Sequence, residues 1–95
     1  MIVFTLFKLG NFLKNRQVAE ELRQQVEKTL DDGERVVLDF NKIVMMSRPF
    51  AEELVGELAA KAGIDIFRQK VTLKNLSPKV ETMLQSVIAA RTQKD

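Results

Sequence analysis

The chain has 95 residues with 15 Lys+Arg against 13 Asp+Glu, a formal net charge of +2, and 45% hydrophobic and 29% charged side chains. That composition excludes a disordered polyelectrolyte and suits one small globular domain over residues 1–95. With no His and no Cys, it also excludes imidazole or thiolate catalysis, zinc sites built on those ligands, disulfides and haem ligation.

Residues 2–9, Ile-Val-Phe-Thr-Leu-Phe-Lys-Leu, are rich in β-branched and aromatic side chains and read as a first strand, closed by the turn signal Gly10-Asn11. Phe12-Leu13 reads as a short extended piece pairing back as a hairpin. Asn15 is an N-cap for a helix over 16–30, whose Val18, Leu22, Val26 and Leu30 form one apolar stripe. Asp31-Asp32-Gly33 stops it. Val36-Val37-Leu38-Asp39-Phe40 is apolar enough for a central strand covered on both faces. Asn41-Lys42 turns the chain, and 43–46 returns it to the interior, with Met45 and Met46 beneath the loop. A second helix starts near Ser47, with Pro49 in its first turn and Phe50, Leu54 and Leu58 on its apolar face, and ends at Gly63. Val71-Thr72-Leu73 reads as a third strand. Ser77 and Pro78 cap and open a third helix carrying Val80, Leu84, Val87 and Ile88, and the tail 92–95 frays. Alternation of this kind predicts an α/β domain, a mostly parallel sheet of about four strands with helices mainly on one face.

The longest apolar runs are about four residues, as at Ile43-Val44-Met45-Met46, where a spanning helix needs about 20. No membrane span is expected. The apolar start lacks a basic n-region and a cleavage site, so it reads as a strand, and the cytoplasm is the expected compartment.

The stretch Val36-Val37-Leu38-Asp39-Phe40, then Ile43, then Ser47-Arg48-Pro49-Phe50-Ala51-Glu52-Glu53-Leu54 resembles the STAS-like domains. These are small bacterial domains of unknown function, distantly related to anti-sigma factor antagonists and to the STAS domains of sulfate transporters. Asn15-Arg16 with Val18-Ala19 and Leu22, and Val71-Thr72-Leu73 with Asn75, Leu76, Ser77 and Val80, extend the likeness over nearly the whole chain. The resemblance implies a switchable protein-binding domain with no catalysis and no cofactor. By the same resemblance its partner is a histidine-kinase-like ATPase or serine kinase, and a serine at the start of the second helix accepts the phosphoryl group. The chain departs from the pattern there: the antagonists carry Asp-Ser-Ser-Gly, and STAS-like domains often place serine directly before the Phe-Ala-acidic stretch, where this chain has Pro49. Ser47 is the nearest hydroxyl.

The candidate switch or interface comprises Ser47, Arg48, Phe50, Glu52, Glu53 and Asp39, within a surface over 41–57. Ser47 reads either as an N-cap or as a phosphorylation site. Asp39, at the end of a buried strand where α/β sheets often bind ligands, reads as a carboxylate accepting hydrogen bonds from N–H groups near Ser47. Glu52, Glu53 and Glu57 read as a solvated acidic face suited to the helix dipole. Arg16 and Arg48 each stand at a helix start and could hold an anion.

Two rival readings stand beside the interaction module. Residues 1–60 carry eight basic and ten acidic side chains and 61–95 seven and three. The basic C-terminal third, with Lys70, Lys74 and Lys79, would suit a nucleic-acid-associated transcriptional regulator, although no aromatic residue is interleaved for base stacking. A small enzyme pairing Asp39 with Ser47 lacks an evident base or oxyanion constellation. An exposed edge strand leaves homodimerisation open.

Overall fold

A computed structural model describes residues 1–92. The β-branched and aromatic N-terminal run forms strand β1 (Ile2–Thr5), which tightens into a 3₁₀ turn (Leu6–Leu9) before β2 (Phe12–Leu13). Helix α1 (Arg16–Asp31) begins where the Asn15 side-chain oxygen accepts from the Gln17 and Val18 N–H groups at 2.9 and 3.1 Å. These are donors that no helical carbonyl can reach. It stops at Asp32, and Gly33 follows at φ 87°, a left-handed conformation that costs glycine little. Strand β3 (Val36–Asp39) and a β-turn closed by the Ile43 N–H donating to the Phe40 carbonyl at 3.1 Å lead to β4 (Met45–Met46).

Helix α2 covers residues 48–62 in three parts: an α-helical turn (Arg48–Ala51), a π-helical segment (Glu52–Gly56) and a further α-helical stretch (Glu57–Ala62). The spacing of Phe50, Leu54 and Leu58, four residues each time, is wider than the α-helical 3.6 and fits a helix locally underwound by a π turn. Gly63, again at φ 87°, separates α2 from α3 (Ile64–Lys70). No such helix is expected from the sequence, because two turns with one buried side chain, Phe67, leave too little periodicity to detect. Strand β5 (Val71–Lys74) and helix α4 (Pro78–Thr92) follow, with the Ser77 hydroxyl accepting from the Val80 N–H at 3.3 Å. Thr92 closes that helix; the rest of the expected frayed tail, 93–95, lies outside the described residues.

All strand pairs are parallel, as the alternation predicts, but the strands divide into a three-stranded sheet ordered β1-β3-β5 and a two-stranded β2-β4 pair. Phe12-Leu13 does not fold back as a hairpin. It pairs in parallel with Met45-Met46 across 31 intervening residues of α1 and β3, because Gly10 and the 3₁₀ turn carry it away from the β1 edge.

The order β1-β3-β5 never reverses, so successive right-handed crossovers place their helices on the same side. Accordingly Val36 and Leu38 lie in the helix-covered core with Phe4, Leu73 and Val71, while Val3 and Thr72, on the other side, are exposed. Val37, between them in register, faces that side too and is buried. The covering expected on both faces of the central strand is therefore a helical layer on one face only. Helix α2 is the centre of that layer, burying Phe50, Ala51, Leu54, Val55, Leu58 and Ala59 between α1 and α4. Gly56 makes its contact with α4 possible, since a Cβ there would lie 2.9 Å from Val87 Cγ1.

Candidate functional site

The loops after β1 and β3 and the start of α2 meet at the C-terminal end of the sheet. Asp39 closes β3, and its carboxylate accepts from the Asn41 N–H and from Asn75 Nδ2, both at 2.9 Å. Those bonds, the Asn75 amide first, hold its carboxyl below the usual carboxylate range, with Lys74 adding a smaller attraction. Asn75 takes φ 60°, a left-handed conformation that asparagine tolerates. Asp39 thus ties the β3 turn to the end of β5, and its acceptors' partners are Asn41 and Asn75 rather than the N–H groups near Ser47. The sheet also lacks the strand-order reversal at which α/β folds open a ligand crevice.

Ser47 takes extended backbone geometry, and its hydroxyl accepts from the Phe50 N–H at 3.3 Å. Ala51 N–H donates to the Ser47 carbonyl at 3.0 Å, so the residue caps α2 with side chain and backbone together. Arg48 is engaged twice: its Nε lies 3.5 Å from Glu52 Oε2, and Nη1 donates to Ser86 Oγ on α4 at 3.3 Å. Glu52, half-buried, serves as that arginine's counter-ion.

Two of the proposed interface residues are not surface. Phe50 is fully buried, and Glu53 is only 8% exposed. The expectation of a solvated Glu53 fails because the π turn swings it against α1, where Arg16 Nε donates to Oε1 at 3.0 Å and Arg23 Nη2 to Oε2 at 3.1 Å. Arg23 is itself buried and also donates to Glu27 at 3.0 Å. The Arg16 bond first, then Arg23, outweigh burial and hold the Glu53 carboxyl below its ordinary range. Burial works against the Arg23 charge, yet Glu27 and Glu53 overcome it and raise its pKa. Arg16 is therefore half of a structural ion pair rather than an anion holder.

The surface at this end combines Val44 and Met45, inside the expected 41–57 surface though expected to face the interior, with Phe7, Leu9 and Phe12 from outside it. In the β2-β4 pair Leu13 and Met46 turn inward, while Phe12 and Met45, opposite each other, turn outward at 51% and 42% exposure. Val44 beside them is 65% exposed, and Phe7 and Leu9 on the 3₁₀ turn are open as well. Val44 N–H donates to the Asn11 carbonyl at 2.8 Å, fixing the two loops together. Lys42 Nζ stands 5.5 Å from the centroid of the Phe7 ring and Lys14 Nζ 5.6 Å from that of Phe12. The result is an apolar platform rimmed by lysines. The signal available in the sequence was the period of two in Phe12-Leu13 and Met45-Met46, which in a strand puts one residue of each pair outside.

With the fold in view, the comparisons define the family. Residues 18–81 match the family described as the STAS-like domain of unknown function (DUF4325), and the chain belongs to it. The match begins after Asn15-Arg16 and leaves out β1 and β2. No curated protein and no solved structure matches the chain. No helix among the described residues is long and apolar enough to cross a membrane.

Proposed function

We propose that this STAS-like domain is a non-catalytic regulatory module that works by binding another protein. Its docking surface is the exposed part of 41–57 together with Phe7 and Phe12, and its partner is a histidine-kinase-like ATPase. One observation carries the reading: Phe7, Phe12, Val44 and Met45 are large apolar side chains exposed at one end of the domain, beside the capped start of α2. A contiguous apolar patch rimmed by polar groups is the usual mark of an interaction site. Asp39, Ser47 and Arg48 are each bonded within the fold, which supports their serving as a frame for that surface rather than as reacting groups. The partner class rests on the resemblance to anti-sigma factor antagonists. A nucleic-acid reading has less support, since the lysines it rests on, Lys70, Lys74 and Lys79, stand on α3, β5 and α4 rather than on the elements that carry the exposed Phe7 and Phe12.

Titration calorimetry against histidine-kinase-like ATPases of the source genome, starting with any encoded beside the gene, tests the proposal. Saturable binding by the unmodified chain is expected, with a loss of at least about tenfold in affinity for Phe12→Ser combined with Met45→Ser. Tight binding unaffected by that pair would move the interface elsewhere, and absence of binding would remove the partner class.

A further inference from the structure

The three-stranded sheet ends in two unlike edges. Strand β5 is bordered by Lys70 and Lys74, charged side chains of the kind that guard a free edge against pairing. Strand β1 has no such guard: residues 2–7, Ile-Val-Phe-Thr-Leu-Phe, contain no charge and no proline. Ile2 N–H donates to the Arg35 carbonyl at 2.8 Å, and the β1-β3 register is parallel. Ile2 and Phe4 therefore bond toward β3, while Val3 and Thr5 turn their N–H and C=O groups to the open side. Val3 is 55% exposed, and Ile2 is exposed beside it. A hollow of about 280 Å³ runs along this edge between β1 and α1, lined by the apolar Phe4, Leu9, Val18 and Leu22 and by the polar Lys8, Glu21 and Gln25.

We propose that the β1 edge is the seat of a second copy of this chain, paired antiparallel about a two-fold axis at Val3 so that the two sheets join into one of six strands. The pairing is self-complementary, as a two-fold contact must be. Val3 exchanges both backbone hydrogen bonds with Val3 of the second copy, and Thr5 meets Met1. Ile2 of one copy then stands beside Phe4 of the other on the helix side, extending the apolar lining of the hollow.

Charge favours this edge and this occupant. No like charges meet along the neutral strands. Lys8, beyond the C-terminal end of β1, stands outside the paired residues, and at the start of the opposing strand the Met1 ammonium is already neutralised by Glu34 at 2.9 Å. The same operation on β5, centred on Thr72, would set Lys70 directly opposite Lys74 twice over, which is repulsive. The dimer contact is made by the β1 backbone and adjoins the platform only at Leu9, so it does not depend on the regulatory reading.

Light scattering on the full chain at high micromolar concentration tests the contact. The unmodified protein is expected at twice its 10.8 kDa chain mass. Val3→Lys and Val3→Glu alone are each expected at the monomer mass with unchanged circular dichroism, because the side chain faces the open side of the sheet. Mixing the two variants in equal amounts should restore the dimer, as Lys and Glu then face each other across the axis. Thr5→Lys, exposed on the same edge, gives a second monomeric variant should a Val3 substitution disturb folding. A monomeric unmodified chain, a dimer that survives both Val3 substitutions and Thr5→Lys, or a mixture of folded Val3→Lys and Val3→Glu chains that stays monomeric would each overturn the proposal.

Discussion

The seam between α1 and α2 and the platform at the sheet end invert each other. The seam keeps charge inside: Arg23 and Glu53 are buried, with Arg16 and Glu27 completing the set. The platform keeps apolar side chains outside, with Phe12, Val44 and Met45 in water and lysines over the rings. Both break the rule of apolar inside and polar outside, for opposite reasons. A buried ion pair adds little net stability, but it fixes which helix face meets which and penalises any other packing. An exposed apolar cluster gives the fold nothing and is free to serve a partner. If this division holds, substitutions in the seam act on stability and substitutions on the platform act on binding.

The largest effect should come from Glu53→Ala, which leaves Arg23 buried with one counter-ion and Arg16 with none among the described residues. A buried charge left wholly unpaired costs about 3–5 kcal/mol; since Arg23 keeps Glu27 at 3.0 Å and Arg16 is mostly exposed, the cost should fall below that range, and urea melts would read it as a lower midpoint. Replacing Arg23 and Glu53 together by Met and Leu should cost much less, because the charges left over reach solvent: Arg16 is mostly exposed, and Glu27 keeps Lys61 at 3.9 Å. A double variant as unstable as Glu53→Ala would show that the seam is held by something other than charge pairing.

Acid should reproduce part of the first effect. The Glu53 carboxyl is held below its ordinary value of 4.5, so its contribution to stability is full above that value and is lost as pH falls through the depressed one. Asp39 and Glu34 are shifted in the same direction, Glu34 by the N-terminal ammonium bonded to it at 2.9 Å. Stability is expected to be flat above about pH 5 and to fall below it. The gap between the unmodified chain and Glu53→Gln should narrow over the same range, and a gap independent of pH would deny the ion pair its role.

What was legible in the sequence follows from how local the signals were. Asn15, Ser47 and Ser77 are each followed by helix, and each caps through a bond to an N–H two or three residues on. That geometry needs no tertiary partner, so local chemistry suffices to read it. The parallel sheet follows from alternation. The Arg16–Glu53 pair spans 37 positions, and although both residues lie in the segments that carry the STAS-like resemblance, nothing local shows that they touch. Glu53 was misread because a uniform α-helix places the acidic run 52–53 on the outer face, and only the π turn rotates Glu53 inward. Met45 reads as interior and Phe12 is assigned no face from the sequence, because two-residue strands are too short for alternation to separate inside from outside without knowing their pairing.

Ser47 should give an effect of middle size and divides the two roles within one residue. Its hydroxyl accepts from the Phe50 N–H, so Ser47→Ala should cost about 0.5–2 kcal/mol, whereas Ser47→Asp keeps an N-cap acceptor and should cost little. If Ser47 is also the switch, the added charge should weaken partner binding more than alanine does, reversing the order seen in stability. Thermal melts and calorimetry with both variants test this, and equal binding by the two would leave Ser47 as a cap only.

The smallest effect on the fold should come from the platform. Val44 is 65% exposed and lies outside the strands, so Val44→Ser removes little buried area. Its backbone bond to Asn11 survives, because the N–H that donates belongs to the main chain. A stability change within about 0.5 kcal/mol is expected, as for other surface positions. Binding should respond differently, since an apolar side chain at the centre of a docking patch is desolvated only in the complex and its loss acts there alone. Urea melts alongside the ATPase titration measure the two quantities on one sample. A chain that melts normally but binds at least about tenfold more weakly would place Val44 on the binding side of the division. A clear loss of stability would mean that the platform helps to hold the β2-β4 pair together, and the separation between seam and platform would fail at this residue.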